Sequence, residues 1–340
     1  MEIPHFILER LEKNEEVVRK FNEIEVSILS ILNFKDFLEK LLSEISSKFS
    51  IPYTWITIIK DVAIADQFHS VQNSELLERS IAFISHKKFC RITENVCAPI
   101  LANSRLDRFN DLLPEAVQWQ MGSLTVAPIT LDGELVGSIS QADPNPNRFK
   151  PGIDTSLLEQ LALKVSLCLS NVTAHERLKF LAYHDPLTSL LNRGVMERVL
   201  KREFERSKRY KAPLSLLFVD LDDFKSINDT HGHDIGDRAL CHVADCLTRL
   251  KRQSDVVARF AGDEFVAILP STDLGQAEHY IERVKKTLKL RPMTNGEITI
   301  PISLSHGLAA MPGPHKAPME MLKSADNQLY LAKAQKNNIH

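Results

Sequence analysis

The sequence predicts an α+β fold divided between two domains, and three observations lead to it. The chain has 340 residues, and at roughly 100–200 residues per domain two are expected, with room for a third. Short β-prone runs bounded by turn residues recur along it: Thr54–Ile59, Gly122–Thr130, Leu135–Ile139, Pro213–Val219 and a pair within Val256–Pro270, each about as long as a strand. Between them lie longer segments with apolar residues three and four apart, the spacing of helices that bury one face.

Composition narrows the class. With 44% hydrophobic and 25% charged residues, the chain reads as an ordinary globular protein. The formal net charge of -2 argues against a nucleic-acid binder, which carries a basic face. It still allows a local basic pocket for a phosphorylated small molecule. The cysteines are Cys90, Cys97, Cys168, Cys241 and Cys246. Their odd number and irregular spacing suit reduced thiols, and Cys241 and Cys246 do not have zinc-site spacing. The N-terminal Met-Glu-Ile-Pro runs into charged sequence, unlike a signal peptide. No apolar run approaches the ~20 residues that span a bilayer. The expectation is a cytoplasmic protein without membrane insertion.

Residues 1–33 read as an N-terminal helix. Ile7, Leu11, Val18, Phe21, Ile24, Ile28 and Leu32 form an apolar stripe opposite Glu9, Glu12, Lys13, Glu16 and Lys20. It suits equally a surface helix packed on its own domain and a dimer helix. Residues 34–153 are mixed. Phe37–Leu42 reads as helix, Thr54–Ile59 as strand, and Glu75 to Ile84 as a helix with Ser74 as N-cap. Asp132-Gly133 between two β runs predicts a hairpin, and Asp143-Pro144-Asn145-Pro146-Asn147 a loop. This hairpin, followed by Asp143, Arg148-Phe149 and a leucine-rich helix, resembles a GAF-type sensory domain from about Phe34 to Val172. The resemblance implies an antiparallel sheet domain that binds a small molecule or mediates a dimer, without saying which ligand, if any. His69, His86, Cys90 and Cys97 are conceivable ligands or thiol sensors there, although a structural role is the commoner one for each. Residues 154–183 form a connector helix. Leu158, Leu161, Val165, Cys168, Val172, His175 and Leu178 alternate at intervals of three and four, close to a heptad seam. That fits either a dimer coiled coil or a helix packed on its own sheet.

Residues 184–340 begin with Asp185-Pro186, which breaks the connector. Val195–Tyr210 is amphipathic. Pro213–Val219 is almost wholly apolar, as a buried central strand should be, and it ends on Asp220. Such a carboxylate is costly unless paired, metal-bound or reached by water. His231–Asp237 reads as a turn leading into a helix over Arg238–Lys251. Val256–Pro270 reads as a hairpin whose tight turn, Ala261-Gly262, carries Asp263 and Glu264 back into a strand. If the two acidic strand ends lie side by side, they offer hard oxygen ligands of the kind Mg²⁺ takes together with substrate phosphates. For each polar residue alone, a turn or cap role is the simpler reading.

Several motifs occur together in order: Asp185-Pro186-Leu187-Thr188, Asn192-Arg193, Asp220-Leu221-Asp222-Asp223-Phe224-Lys225-Ser226-Ile227-Asn228-Asp229, Gly232-His233-Asp234-Ile235-Gly236-Asp237, Arg259-Phe260-Ala261-Gly262-Asp263-Glu264-Phe265, and Ala325-Asp326 with Leu329-Tyr330 and Ala332-Lys333. From about Phe180 to Asn338 the chain resembles the GGDEF domain of diguanylate cyclases. The resemblance implies a palm-like, mainly antiparallel central sheet flanked by helices. It also implies condensation of two GTP into cyclic di-GMP with loss of pyrophosphate. It assigns the Mg²⁺ or Mn²⁺ ligands to Asp220, Asp263, Glu264 and the Leu221 carbonyl, with Glu264 helping to activate the ribose hydroxyl. Asn228 and Asp237 would read guanine, while the amides of Asp223 and Phe224, with Lys225 and Lys333, would hold phosphates. Because each domain binds one GTP, a homodimer with two-fold symmetry is implied. Arg252 and Asp255, with Arg283, would form an inhibitory site for the product.

Three departures stand out. Ala261 replaces a glycine and would strain the turn if that position needs unusual dihedrals. An arginine expected after Lys333 is missing, with Lys336 available as a point charge without the bidentate fork. His306 stands in a strand where an aliphatic residue is usual. A second reading is therefore a catalytically weak module that binds GTP or cyclic di-GMP and signals. A third is relaxed base choice, against which Asp237 argues because an acid suits the guanine N–H donors.

Overall fold

In the computed structural model, described for residues 5–71, 74–94, 98–115, 117–295 and 298–337, the chain divides into two compact units, Met1–Leu178 and Lys179–His340. Cys97 lies outside the described residues.

The first unit opens with α1 (His5–Leu29) and α2 (Phe34–Phe49). Asn33 caps α2 by accepting the Asp36 amide at 3.0 Å, which satisfies a donor the helix leaves open. Next come β1 (Tyr53–Ile59), the short helices α3 (Ala65–Ser70) and α4 (Glu75–Glu78), β2 (Ile81–Ile84), α5 (His86–Thr93) and β3 (Ile100–Ala102). A 3₁₀ segment over Leu106–Leu112, the hairpin β4 (Ser123–Leu131) and β5 (Glu134–Asp143), and α6 (Ser156–Tyr183) follow. The five strands order as β2-β1-β5-β4-β3.

Two expectations change here. The helix predicted from Glu75 to Ile84 stops at Glu78, and Ile81–Ile84 is a strand. A run of Ile-Ala-Phe-Ile gains more by pairing with β1 than by extending a helix turn. That pairing is parallel, so the sheet is not wholly antiparallel. Four of the heptad-like positions of the connector pack within this unit, while His175 and Leu178 are exposed. Leu161, Val165, Cys168 and Val172 are buried with Phe21, Ile24 and Ile28 of α1 in the core of this unit. Leu163 and Leu167, outside that seam, are exposed as well.

In the second unit α7 (Arg193–Tyr210) leads to β6 (Leu214–Leu221), α8 (Phe224–His231) and α9 (His233–Leu250). The hairpin β7 (Val256–Ala261) and β8 (Glu264–Pro270) precedes α10 (Leu274–Leu290), the small pair β9 (Met293–Asn295) and β10 (Ile298–Ile300), β11 (Leu304–Met311) and α11 (Pro318–Asn337). The main sheet runs β11-β6-β8-β7, antiparallel at every pairing. Side chains alternate across it. Leu217, Val219 and Leu221 face a core shared with α9 and α10, while Leu214, Leu216 and Phe218 face one shared with α7 and α11. No helix among the described residues is long and apolar enough to cross a membrane.

Candidate active site

The site is built on the ends of β6 and β8. Asp220 pairs in register with Glu264 across these strands, and the Leu221 amide donates to the Asp263 carbonyl at 3.2 Å. By alternation, Asp220 and Glu264 share the face of Phe218 and Val266, which α11 covers. From α11 the Lys333 ammonium reaches Asp220 Oδ1 at 2.6 Å. Asp220 is 4% exposed. Burial pushes its carboxyl up against the pull of Lys333, and Asp263 adds to the rise. Glu264 is likewise pushed up by burial, then by Asp220 and Asp263. The acids therefore repel one another, and each favours its protonated form more than an exposed acid would. Their oxygens have the chemistry of a divalent-cation site, although among the described residues no group of three or more His, Cys, Asp or Glu side chains has metal-binding geometry. In this arrangement Lys333 supplies the positive charge.

The turn between β7 and β8 resolves the question of Ala261. It is Gly262, at φ 47°, that takes the left-handed conformation, and Ala261 is absent from the described residues with positive φ. Ala261 ends β7 opposite Glu264, just past a register shift between Arg259 and Ala261, so its methyl meets no backbone strain. Arg259 holds the turn from below. Its Nε donates to the Gly262 carbonyl at 2.8 Å, and its Nη1 lies 3.1 Å from Asp185 Oδ1. Asp185 in turn accepts the Thr188 amide and hydroxyl at 2.8 and 2.7 Å. Burial raises the Asp185 carboxyl, but the Thr188 and Arg259 donors outweigh it and hold it below the ordinary range. Residues that read in sequence as a helix breaker thus clasp the acidic turn. Both residues stand in motifs of the sequence, Asp185–Thr188 and Arg259–Phe265, but the motifs do not say that they pair.

The loop after β6 places Asp223 at φ 54° as the N-cap of α8, with no side-chain capping bond. Phe224 and Lys225 form its first turn, and Lys225 is exposed. Asp237 lies inside α9, which starts at His233 rather than at Arg238, and its side chain is exposed. Asn228 Oδ1 is buried with no hydrogen-bond partner. It sits against Gly236, where a Cβ would come within 1.8 Å of it. Only glycine admits that contact.

The remaining residues fall into two groups. The Asp255 carboxylate accepts the Arg252 amide at 2.8 Å and the Ser254 hydroxyl at 3.2 Å, and the residue is buried. Arg252 and Arg283 are exposed. Tyr280 of α10 donates its hydroxyl to the Leu247 carbonyl of α9 at 2.7 Å, and its own acidity is weakened by burial, then by Asp255, against the pull of Arg283. Lys336 pairs with Asp222 Oδ2 at 2.6 Å and so is engaged with the protein. His306 Nε2 lies 3.1 Å from Glu278 Oε1. In the first unit His69 stacks on Phe83 at 3.8 Å, and Cys90 Sγ lies 3.6 Å from His86 Nε2.

Residues 182–339 match the family described as "Diguanylate cyclase, GGDEF domain". Among curated proteins, the chain is 39% identical over 158 residues to probable diguanylate cyclase DgcC of Escherichia coli, covering 46% of this chain and 42% of the relative. It is 42% identical over 158 residues to diguanylate cyclase DosC of Escherichia coli, covering 45% and 34%. It is 39% identical over 160 residues to response regulator PleD of Caulobacter vibrioides, covering 46% and 35%. The chain thus spans less than half the length of these relatives.

Proposed function

We propose that this chain, whose residues 182–339 form a GGDEF domain, is a diguanylate cyclase that condenses two GTP into cyclic di-GMP and pyrophosphate. The observation that carries this reading is the pairing of Asp220 with Glu264 at adjacent strand ends, with Lys333 on Asp220. Like-charged acids held together at a buried strand end need a positive partner. A divalent cation of the Mg²⁺ or Mn²⁺ kind would be held by Asp220, Asp263, Glu264 and the Leu221 carbonyl. When bound it would neutralise charge on the attacking and leaving oxygens.

The rest of the chemistry is assigned to the chain's own groups. Lys333 leaves Asp220 and takes up phosphate charge. The uncapped amides at the start of α8, at Asp223 and Phe224, point the positive end of the helix toward phosphate, with Lys225 beside them. Asn228 and Asp237 read the guanine edge. Glu264, its carboxyl raised by burial and by its acidic neighbours, is suited to accept the 3′-hydroxyl proton. Positioning and charge stabilisation supply most of the acceleration in such transfers. Two GTP-bearing domains must face each other, so the active species is a homodimer. Arg252, Asp255 and Arg283 form a site where product slows turnover. Residues 34–153 serve as a GAF-like sensory domain. This is supported by the five-stranded sheet between helices and leaves the ligand open.

Incubation of the purified protein with GTP and Mg²⁺ tests the reading. Cyclic di-GMP and pyrophosphate are expected, and Asp263→Asn should abolish both. GTP binding with no product at high protein concentration would favour the alternative, a module that binds nucleotide and signals.

A further inference from the structure

A second ion pair ties α11 to the same strand end, and the mechanism above does not use it. Lys333 and Lys336 are three residues apart on α11, so they lie on one face of the helix. They meet Asp220 and Asp222, which lie on either side of Leu221. The Lys336 ammonium is 2.6 Å from Asp222 Oδ2 and 3.5 Å from Ser303 Oγ. Ser305 donates its hydroxyl to Asp222 Oδ1 at 2.5 Å, and the Asp222 amide donates to the Ser303 carbonyl at 3.0 Å. The Asp222 side chain is 7% exposed, against 44% for Lys336. Both carboxylate oxygens are therefore spent on groups from β11, the segment before it and α11. Burial raises this carboxyl, and the donors from Lys336, Ser305 and Ser303 outweigh it, leaving it below its ordinary range.

The two pairs differ in what substrate asks of them. Asp220 is a candidate cation ligand and Lys333 a candidate phosphate ligand, so their contact must open when GTP binds. Asp222 has no such call on it, and its pair can persist. We propose that Lys336 is a positioning residue. Its pair with Asp222 anchors the last turn of α11, so that the Lys333 ammonium exchanges Asp220 for the substrate triphosphate while the helix stays in place. This rests on the reading of the strand ends as a GTP site.

The test uses the full chain with Lys336→Ala and Lys336→Arg. Steady-state cyclisation of GTP with Mg²⁺ is measured, and so is amide hydrogen exchange of the α11 C-terminal turns without nucleotide. Lys336→Ala should raise KM for GTP by about tenfold, in line with loss of one charged hydrogen bond, with kcat within about twofold. It should also speed exchange in α11 while β6 and β8 keep their protection. Lys336→Arg, which can also reach a carboxylate, should retain KM and protection. Unchanged exchange in Lys336→Ala overturns the anchor. A raised KM without faster exchange overturns it too, since Lys336 would then act on substrate directly. Arginine failing as badly as alanine has the same consequence. If the unmodified protein turns over no GTP, the function reading fails on that result, and the exchange measurement still decides whether the anchor exists.

Discussion

Asp220 and Asp222 are neighbours but one, yet their surroundings drive their acidities in opposite directions. Asp220 is raised by burial, so the folded protein holds its proton more tightly than the unfolded chain does. Such a group contributes most to stability below the ordinary carboxylate range, and that contribution is lost as pH rises through its folded value. Asp222 is lowered; its contribution is present above the ordinary range and is lost as pH falls through the folded value. Asp220→Asn should therefore raise the midpoint of thermal unfolding at pH 7, by about 2–4 °C for a change on the order of 1 kcal/mol, while abolishing turnover. Asp222→Asn should lower it by a similar amount. The Asp220→Asn difference should shrink at pH 4, whereas the Asp222→Asn difference should persist there and shrink only at lower pH, as measured by calorimetry on the three proteins. A lower midpoint for Asp220→Asn at pH 7 would show that the Lys333 pair outweighs the cost of burial. At this scale the strand-end acids were legible in the sequence, because a charge closing an apolar run is conspicuous. The partner of Lys336 was not legible, because Asp222 lies 114 residues away and nothing local encodes that separation.

At the scale of elements, the acidic hairpin was legible and its support was not. Two short β-prone runs flanking the Ala261-Gly262 turn were enough to predict β7 and β8. The clasp of Arg259 on Asp185 spans 74 residues; both residues stand in motifs of the sequence, but nothing in the motifs pairs them. The start of α9 was placed late for a related reason. Gly232 precedes the helix without a side-chain cap, so the usual N-cap signal was missing. Ile81–Ile84 was assigned to a helix because an apolar run of that length fits either structure until its partner strand is known. The clasp has a direct consequence for catalysis. Arg259 fixes the carbonyl of the very residue before Asp263, and a shift of about 1 Å in such a turn is enough to cost about 100-fold in rate. Lysine lacks the planar fork by which the guanidinium reaches Gly262 and Asp185 from two separate nitrogens. Arg259→Lys should therefore lower kcat by about that factor with far-ultraviolet circular dichroism unchanged. A variant within twofold of the parent would show that the turn holds itself.

At the scale of the whole molecule, one chain carries one set of strand-end acids, while the proposed product joins two nucleotides. Turnover should then depend on encounter between copies, and at dilutions where copies separate the initial rate should rise with the square of protein concentration. The turn proposed to bind product separates two roles that the sequence motif presents as one. Asp255 is buried, and its carboxylate is occupied by the Arg252 amide and the Ser254 hydroxyl; it builds the turn. Arg252 presents an exposed side chain, and a guanidinium there is suited to guanine and phosphate alike. Arg252→Ala should leave stability within about 0.5 kcal/mol and straighten progress curves that otherwise flatten as cyclic di-GMP accumulates. Asp255→Ala should instead cost about 1–3 kcal/mol, the penalty of leaving a buried amide without its acceptor. Progress curves with and without added cyclic di-GMP, together with denaturant titration of both variants, separate the two roles. Curves for Arg252→Ala that still flatten at the same product concentration would remove Arg252 from the inhibitory site.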